Sequence, residues 1–186
     1  MKKTLMLGAL ACAFGTSAVA APFVQFYLSG SSGDWTLDFE VTNNLGVNNL
    51  DIYFFGVQLE SRNIVGSPPN WDPNAWTTWD NSPYGGSNTI YNNNWIIFGG
   101  PDMIQNGETL NGFKAKSSNA GTPANVKWFA FAYDWTGGGA VYGGNDYFNA
   151  DWNPGFEGVA NIVPEPVTIS ALAAGLGLAA LRRRKK

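Results

Sequence analysis

Hydrophobic and polar side chains alternate along the middle of the chain, and no helical periodicity appears between residues 21 and 163. Residues 34–41 alternate strictly, which predicts a half-buried strand. Residues 50–59 are apolar on both faces, which predicts a central strand. Further strand candidates are residues 22–28, 95–98, 109–116, 126–133, 140–148 and 156–162. About eight short strands separated by Gly, Asn and Pro turns predict an all-β fold, specifically an antiparallel β-sandwich.

Residues 61–94 interrupt this pattern and do not show the alternation of a strand. A connection of this length inside a compact domain is usually functional or disordered. Three tryptophans argue against disorder, because disordered segments are poor in aromatic residues. We therefore expect an ordered excursion packed on the sandwich.

The N-terminus has the three parts of a secretory signal peptide. Lys2 and Lys3 precede an apolar stretch, residues 4–14, and Ala18 and Ala20 occupy the small-residue positions of a cleavage site. Residues 1–20 are thus predicted to be a signal helix, with the mature protein beginning at Ala21. Cys12 raises the alternative of a lipoprotein, but the residues before it match a lipid-attachment site poorly.

The C-terminus combines a proline-rich motif, a short apolar stretch and a basic end. Residues 167–181 carry no charge, and as a helix they would span about 22 Å, less than the ~30 Å hydrocarbon core. Five cations follow at residues 182–186 and would remain in the cytoplasm. The segment is therefore either a short transmembrane anchor or a handle that is cut off, and its residues alone leave both alternatives open.

These three parts resemble the PEP-CTERM sorting signal. The motif residues are Val163, Pro164, Glu165 and Pro166, the transmembrane helix is residues 167–181, and the basic stop is Arg182, Arg183 and Arg184. The resemblance implies an exosortase as processing partner, transient membrane anchoring, and final placement at the surface of a Gram-negative bacterium. It also implies association with exopolysaccharide in a biofilm matrix. The predicted domains are the signal peptide 1–20, an exported domain 21–162 and the sorting signal 163–186.

Composition narrows the chemistry of the exported domain. Residues 21–163 contain four cations and thirteen acidic side chains, a net charge near −9, which argues against nucleic acid and anionic lipid as partners. The chain has no histidine, and its single cysteine lies in the signal peptide. Ser-His-Asp and Cys-His catalysis and ordinary zinc sites are therefore excluded. Paired carboxylates of a glycosidase are a distant alternative, with four candidates: Glu40, Glu60, Glu108 and Glu157.

Two groups of residues could bind a ligand. The aromatic segment supplies candidates for stacking on sugar rings, with amides and carboxylates interleaved: Trp71, Trp76, Trp79 and Tyr84. The same rings could equally fill the core. A glycine-rich stretch nearer the C-terminus supplies hard oxygen ligands for calcium: Asp134, Asp146 and Asp151. Asp and Asn are also common in turns, so no cofactor is required.

We therefore expect a non-enzymatic, exported surface or matrix protein, with a carbohydrate-binding module as the alternative.

Overall fold

The computed structural model describes residues 21–73 and 76–164. This part of the chain is all-β, as predicted. It contains eleven strands: β1 Phe23–Ser31, β2 Asp34–Thr42, β3 Asp51–Val57, β4 Ile64–Gly66, β5 Trp79–Asp80, β6 Ile90–Tyr91, β7 Asn93–Ile96, β8 Thr109–Ser117, β9 Val126–Tyr133, β10 Phe148–Ala150 and β11 Asn153–Val163. A short 3-10 helix covers Ser82–Tyr84. The predicted signal helix and C-terminal helix lie outside the described residues. Within those residues, no helix is long and apolar enough to cross a membrane.

Nine strands form one continuous sheet in the order β4-β8-β2-β1-β11-β9-β3-β7, with β10 paired to β11. The predicted sandwich assumed antiparallel pairing throughout, and here the structure differs. Strand β11 pairs antiparallel with β9 through residues 155–160 and parallel with β1 through residues 161–163. One long strand thus joins both halves into a nearly closed, barrel-like sheet. Alternation along a sequence shows that a segment is a strand, but it does not show which strand will be its neighbour.

Side chains close most of the gap between the two ends of this sheet. Asn93 in β7 accepts a bond from the Asn63 amide at 2.8 Å and donates to the Ser61 carbonyl at 3.0 Å. The Trp95 indole donates to the carbonyl of Gly66 in β4 at 2.9 Å. Asn93 is fully buried, so these bonds satisfy polar groups that water cannot reach. The edges of β4 and β7 are therefore covered, which protects them from pairing with other chains.

Strand β3 has buried side chains on both faces, as its apolar sequence predicts. Ile52, Phe55 and Val57 belong to the main core inside the sheet. Phe54 points to the opposite face and joins a second cluster with Phe129 and neighbouring rings. A register shift between Ile52 and Phe54, opposite β9, changes the phase of the alternation, so that Ile52 lies on the inner face with Phe55 and Val57 while Phe54 lies on the outer face. The strand lies between β7 and β9, which confirms its central position.

Two predicted segments differ from the structure. Residues 61–94 pack on the sheet as expected, but they also contain β4, β5, β6 and the start of β7, so the absence of strands was wrong. The strand predicted at residues 140–148 is irregular up to β10, which begins at Phe148. The alternation of residues 140–148 arises from Tyr142, which is buried although it lies in a loop. Its ring centre is 5.2 Å from that of Phe156. A loop residue that plugs the core gives the same pattern as a strand residue.

The strand directions define two ends of the barrel. One end, which we call the loop end, carries the connections 43–50, 97–108 and 134–147. The other, which we call the tail end, carries the β1–β2 turn, the connections 58–63 and 118–125, and the last residue of β11, Val163. The parallel pairing of β1 with β11 and the antiparallel pairing of β11 with β9 fix this division. The chain therefore leaves the sheet at the tail end.

Candidate functional site

Trp71 is part of the main core and has no face free for a ligand. Its side chain is 4% exposed, and its ring packs edge-on against Phe113 at 5.0 Å between centres. The indole N–H donates to the carbonyl of Asp102 at 3.0 Å, which satisfies its one polar atom. Of the four aromatic residues predicted for glycan binding, Trp71 therefore fills the core instead of lying at the surface.

The other three predicted aromatic residues lie together on the outer face of β3 and β9. Trp79 packs edge-on against Phe54 at 4.7 Å, and Tyr84 stacks on Trp79 at 5.4 Å with 13° between the rings. Trp76 lies 5.4 Å from Trp79. Trp76 is 39% exposed and Tyr84 43% exposed. We call Phe54, Trp76, Trp79, Tyr84, Phe129 and Phe131 the outer aromatic layer. It consists of a packed interior with two rings partly open to solvent.

A buried asparagine and a carboxylate fasten this layer to the sheet. The Asn81 side chain accepts a bond from the Trp79 indole and donates to Glu157 of β11 at 2.9 Å. Glu157 also accepts from the Tyr91 hydroxyl at 2.8 Å and from the Ser87 amide at 2.8 Å. Burial raises the pKa of Glu157, but the hydrogen bonds to its charged form outweigh burial and leave the pKa below its ordinary value. The carboxylate is therefore a structural clamp for residues 81–91.

The three calcium candidates are not brought together as a ligand set. Asp134 is buried, and its carboxylate accepts bonds from Thr136 and from the Ala140 amide at 2.9 Å. The hydrogen bond from the Ala140 amide has the largest effect on the carboxyl of Asp134, and together with the bonds from Thr136 it lowers the pKa. Asp146 accepts a bond from the Tyr142 hydroxyl at 2.8 Å, and Asp151 is exposed. Across residues 21–73 and 76–164, no three acidic side chains form a group that could hold a metal ion.

The four glutamates considered for catalysis are also dispersed. Glu60 bonds Ser118 and Asn119 at the tail end, whereas Glu108 lies at the loop end next to Gln105. Glu40 accepts a bond from Gln25 in the β1–β2 ladder at 2.5 Å. Glu157 is the clamp described above. Each carboxylate thus contacts its own local partners rather than a shared cleft.

The start of the sorting motif coincides with the end of the sheet. Val163 is the last residue of β11 and is opposite Tyr27 in the parallel pair. Pro164 follows with no strand assignment, as expected for a residue without an N–H donor. Glu165, Pro166, the predicted helix 167–181 and Arg182, Arg183 and Arg184 lie outside the described residues.

A cleft at the loop end was not predicted from the sequence. It has a volume of about 540 Å³ and is lined by residues from all three loop-end connections. Trp135 is its only aromatic wall residue and is 42% exposed. The polar lining consists of Asn48, Asn49, Asp51, Gln105, Asn106 and Thr136. Trp135 lies two residues after β9 and two residues before the run of glycines at 137–139, and this turn position was the one signal available in the sequence.

Asp51 is the only ionisable group among the residues that line this cleft. Burial raises the pKa of its carboxyl, and the negative charges of Asp134 and Glu108 raise it further. The loop end is therefore acidic and supplies hydrogen-bond acceptors beside an exposed indole.

Comparison with known proteins adds no constraint on this site: no family model matches the chain, and neither does any curated protein or solved structure.

Proposed function

We propose that this chain is an exported, non-enzymatic protein of the cell surface or extracellular matrix. In this proposal an exosortase recognises residues 163–186, the helix 167–181 anchors the chain transiently, and processing near Pro164 then releases or attaches the domain. Exopolysaccharide is the matrix component with which it associates.

The positions where the sheet begins and ends carry this proposal. β1 begins at Phe23, just after the predicted signal cleavage, and β11 ends at Val163, the first residue of the sorting motif. Cleavage before Ala21 and beyond Val163 would therefore remove no paired strand residue. A domain whose strands lie between two processing sites keeps its core after both cuts.

The direction of the chain also supports a surface role. The chain leaves the sheet at the tail end, while the cleft and its exposed indole lie at the loop end. A domain held through its C-terminus would thus present the loop end away from the point of attachment. This is the arrangement expected of a surface domain that contacts matrix components.

Deletion of residues 165–186 tests the sorting proposal in the native host. We expect wild-type protein in the surface or medium fraction and the deletion variant in the periplasmic fraction, because the signal peptide still exports it. A variant with Arg182, Arg183 and Arg184 replaced by lysine keeps the charge and should fractionate like wild type. Equal surface delivery of the deletion variant would contradict the proposal.

A carbohydrate-binding module is the second candidate, and the exposure of Trp76 and Tyr84 favours it. Sugar rings stack on open aromatic faces, and both side chains are more than one-third exposed. If they bind glycan, Trp76→Ala should abolish retention of the exported protein on host exopolysaccharide, as measured by affinity electrophoresis. Phe23→Ala, an exposed aromatic on β1, is the matched control and should leave retention unchanged.

A further inference from the structure

We propose that the loop-end cleft is a binding site for a short neutral oligosaccharide, with Trp135 as the stacking surface. This site is separate from the outer aromatic layer and does not depend on the sorting proposal. It concerns what the domain recognises, whichever route brings it to its destination.

The cleft has the size and the construction of a ligand site. Its volume of about 540 Å³ falls within the ~300–1,000 Å³ that small-molecule sites usually have. Three separate connections form its walls: residues 48–51, residues 100–106 and the turn at Trp135. The first two of these connections are tied together, since Asn43 donates to the carbonyls of Leu50 and Ile104 at 3.0 and 2.8 Å. Asn43 is fully buried, so these two walls share a fixed support.

Trp135 is held in place although it is exposed. Its ring lies edge-on to Tyr133 at 5.0 Å and to Tyr53 at 5.8 Å between centres. The Tyr53 hydroxyl donates to Asn153 at 3.2 Å, which holds the second of these rings. Gly99 approaches the indole so closely that a Cβ there would lie 3.2 Å from the ring, and its φ of +90° also favours glycine. An aromatic platform fixed in this way loses little conformational entropy when a ligand stacks on it.

The polar lining matches the hydroxyl groups of a sugar. The amides of Asn48 and Gln105 can each donate and accept, whereas the Thr136 hydroxyl already donates its hydrogen to Asp134 at 2.6 Å and can only accept. When ionised, the Asp51 carboxylate is an acceptor only, and it lies in the wall of the cleft. It is therefore available to accept a bond from a sugar hydroxyl.

Charge selects a neutral glycan over an anionic one. Asp51 lines the cleft, and the negative charges of Asp134 and Glu108 act on it. No lysine or arginine lines the cleft. A carboxylated or sulfated sugar would meet like charges without a compensating cation, which costs affinity.

Calorimetric titration of the exported protein with neutral hexasaccharides tests this inference. The probes are cellohexaose, maltohexaose, laminarihexaose, xylohexaose and mannohexaose, with hexagalacturonate as the anionic comparison. We expect at least one neutral probe to bind and hexagalacturonate not to bind. Trp135→Ala should weaken that binding by about tenfold or more, the loss typical of an aromatic anchor. Trp152→Ala is the matched control, because Trp152 is 54% exposed and also contacts Tyr133 but does not line the cleft.

A second variant guards against misfolding of the first. Gln105 is exposed, so Gln105→Ala should leave the fold intact while weakening binding several-fold. The inference is overturned if no neutral probe binds, or if affinity is unchanged in both cleft variants. Loss of binding in Trp76→Ala without loss in Trp135→Ala would also overturn it and would instead support the outer aromatic layer as the glycan site.

Discussion

Phe54→Ala is expected to lower the free energy of unfolding by about 3–5 kcal/mol, the usual cost of truncating a buried phenylalanine. Phe54 is almost fully buried although it points away from the main core. Its ring contacts Trp76, Trp79 and Phe129 at 5.1, 4.7 and 4.8 Å between centres. Removing it would leave a cavity under the outer aromatic layer and loosen residues 76–84. Chemical denaturation followed by tryptophan fluorescence would measure the loss.

The control for this prediction is Phe98→Ala. Phe98 is the most exposed large hydrophobic residue described, so its truncation should change the unfolding free energy by less than about 0.5 kcal/mol. If Phe54→Ala were as mild as Phe98→Ala, the outer face of β3 would be a solvated sheet face. The description of the outer aromatic layer as packed would then be wrong.

Glu157→Gln should destabilise the domain by about 1.5–3 kcal/mol, since it replaces a charged acceptor of several hydrogen bonds. One of the two carboxylate oxygens accepts from Asn81 and Tyr91, and the other from the Ser87 amide. A glutamine would direct its NH₂ group either at the Ser87 amide or at the Asn81 amide, and both are N–H donors that cannot accept from it. Glu108→Gln, an exposed position at the loop end, is the matched control and should be nearly neutral.

The same carboxylate predicts a pH dependence with a defined sign. The folded-state pKa of Glu157 lies below its ordinary value of 4.5. Its stabilising contribution is therefore fully present above the unfolded pKa and is lost as the pH falls through the folded pKa. We expect the stability difference between wild type and Glu157→Gln to shrink below about pH 4.5. If the stability difference between wild type and Glu157→Gln stayed constant from pH 7 to pH 3, the ionised Glu157 carboxylate would not be stabilising residues 81–91.

The strands with clear alternation could be predicted, but their arrangement could not. The sequence of β2 shows one buried face, and its apolar residues Leu37, Phe39 and Val41 are buried as expected. Nothing local indicates that β11 would turn from β9 to β1 and pair parallel through only three residues. That pairing depends on the closure of the whole sheet, since it brings together residues 25–27 and 161–163.

The candidate sites show the same limit for side chains. Trp71 and Trp76 lie five residues apart with the same chemistry in their neighbourhood, yet one fills the core and the other is exposed. Neither hydrophobic periodicity nor composition can distinguish these two positions, because loop residues do not alternate regularly between a buried and an exposed face. Trp135 was missed for a related reason, since its cleft partners come from residues 48–51 and 100–106, far away in sequence.

The intact mass of the mature protein, compared between host cells with and without their sorting enzyme, tests the central claim most directly. The account predicts a wild-type mass that begins near Ala21 and ends near the Pro164–Pro166 motif, with trimming lost when the enzyme is absent. Any additional mass at the new C-terminus would identify what is attached there. Retention of Arg182 through Lys186 in wild-type cells would contradict the account, because the tail would then be an ordinary anchor and the domain would act tethered to the inner membrane.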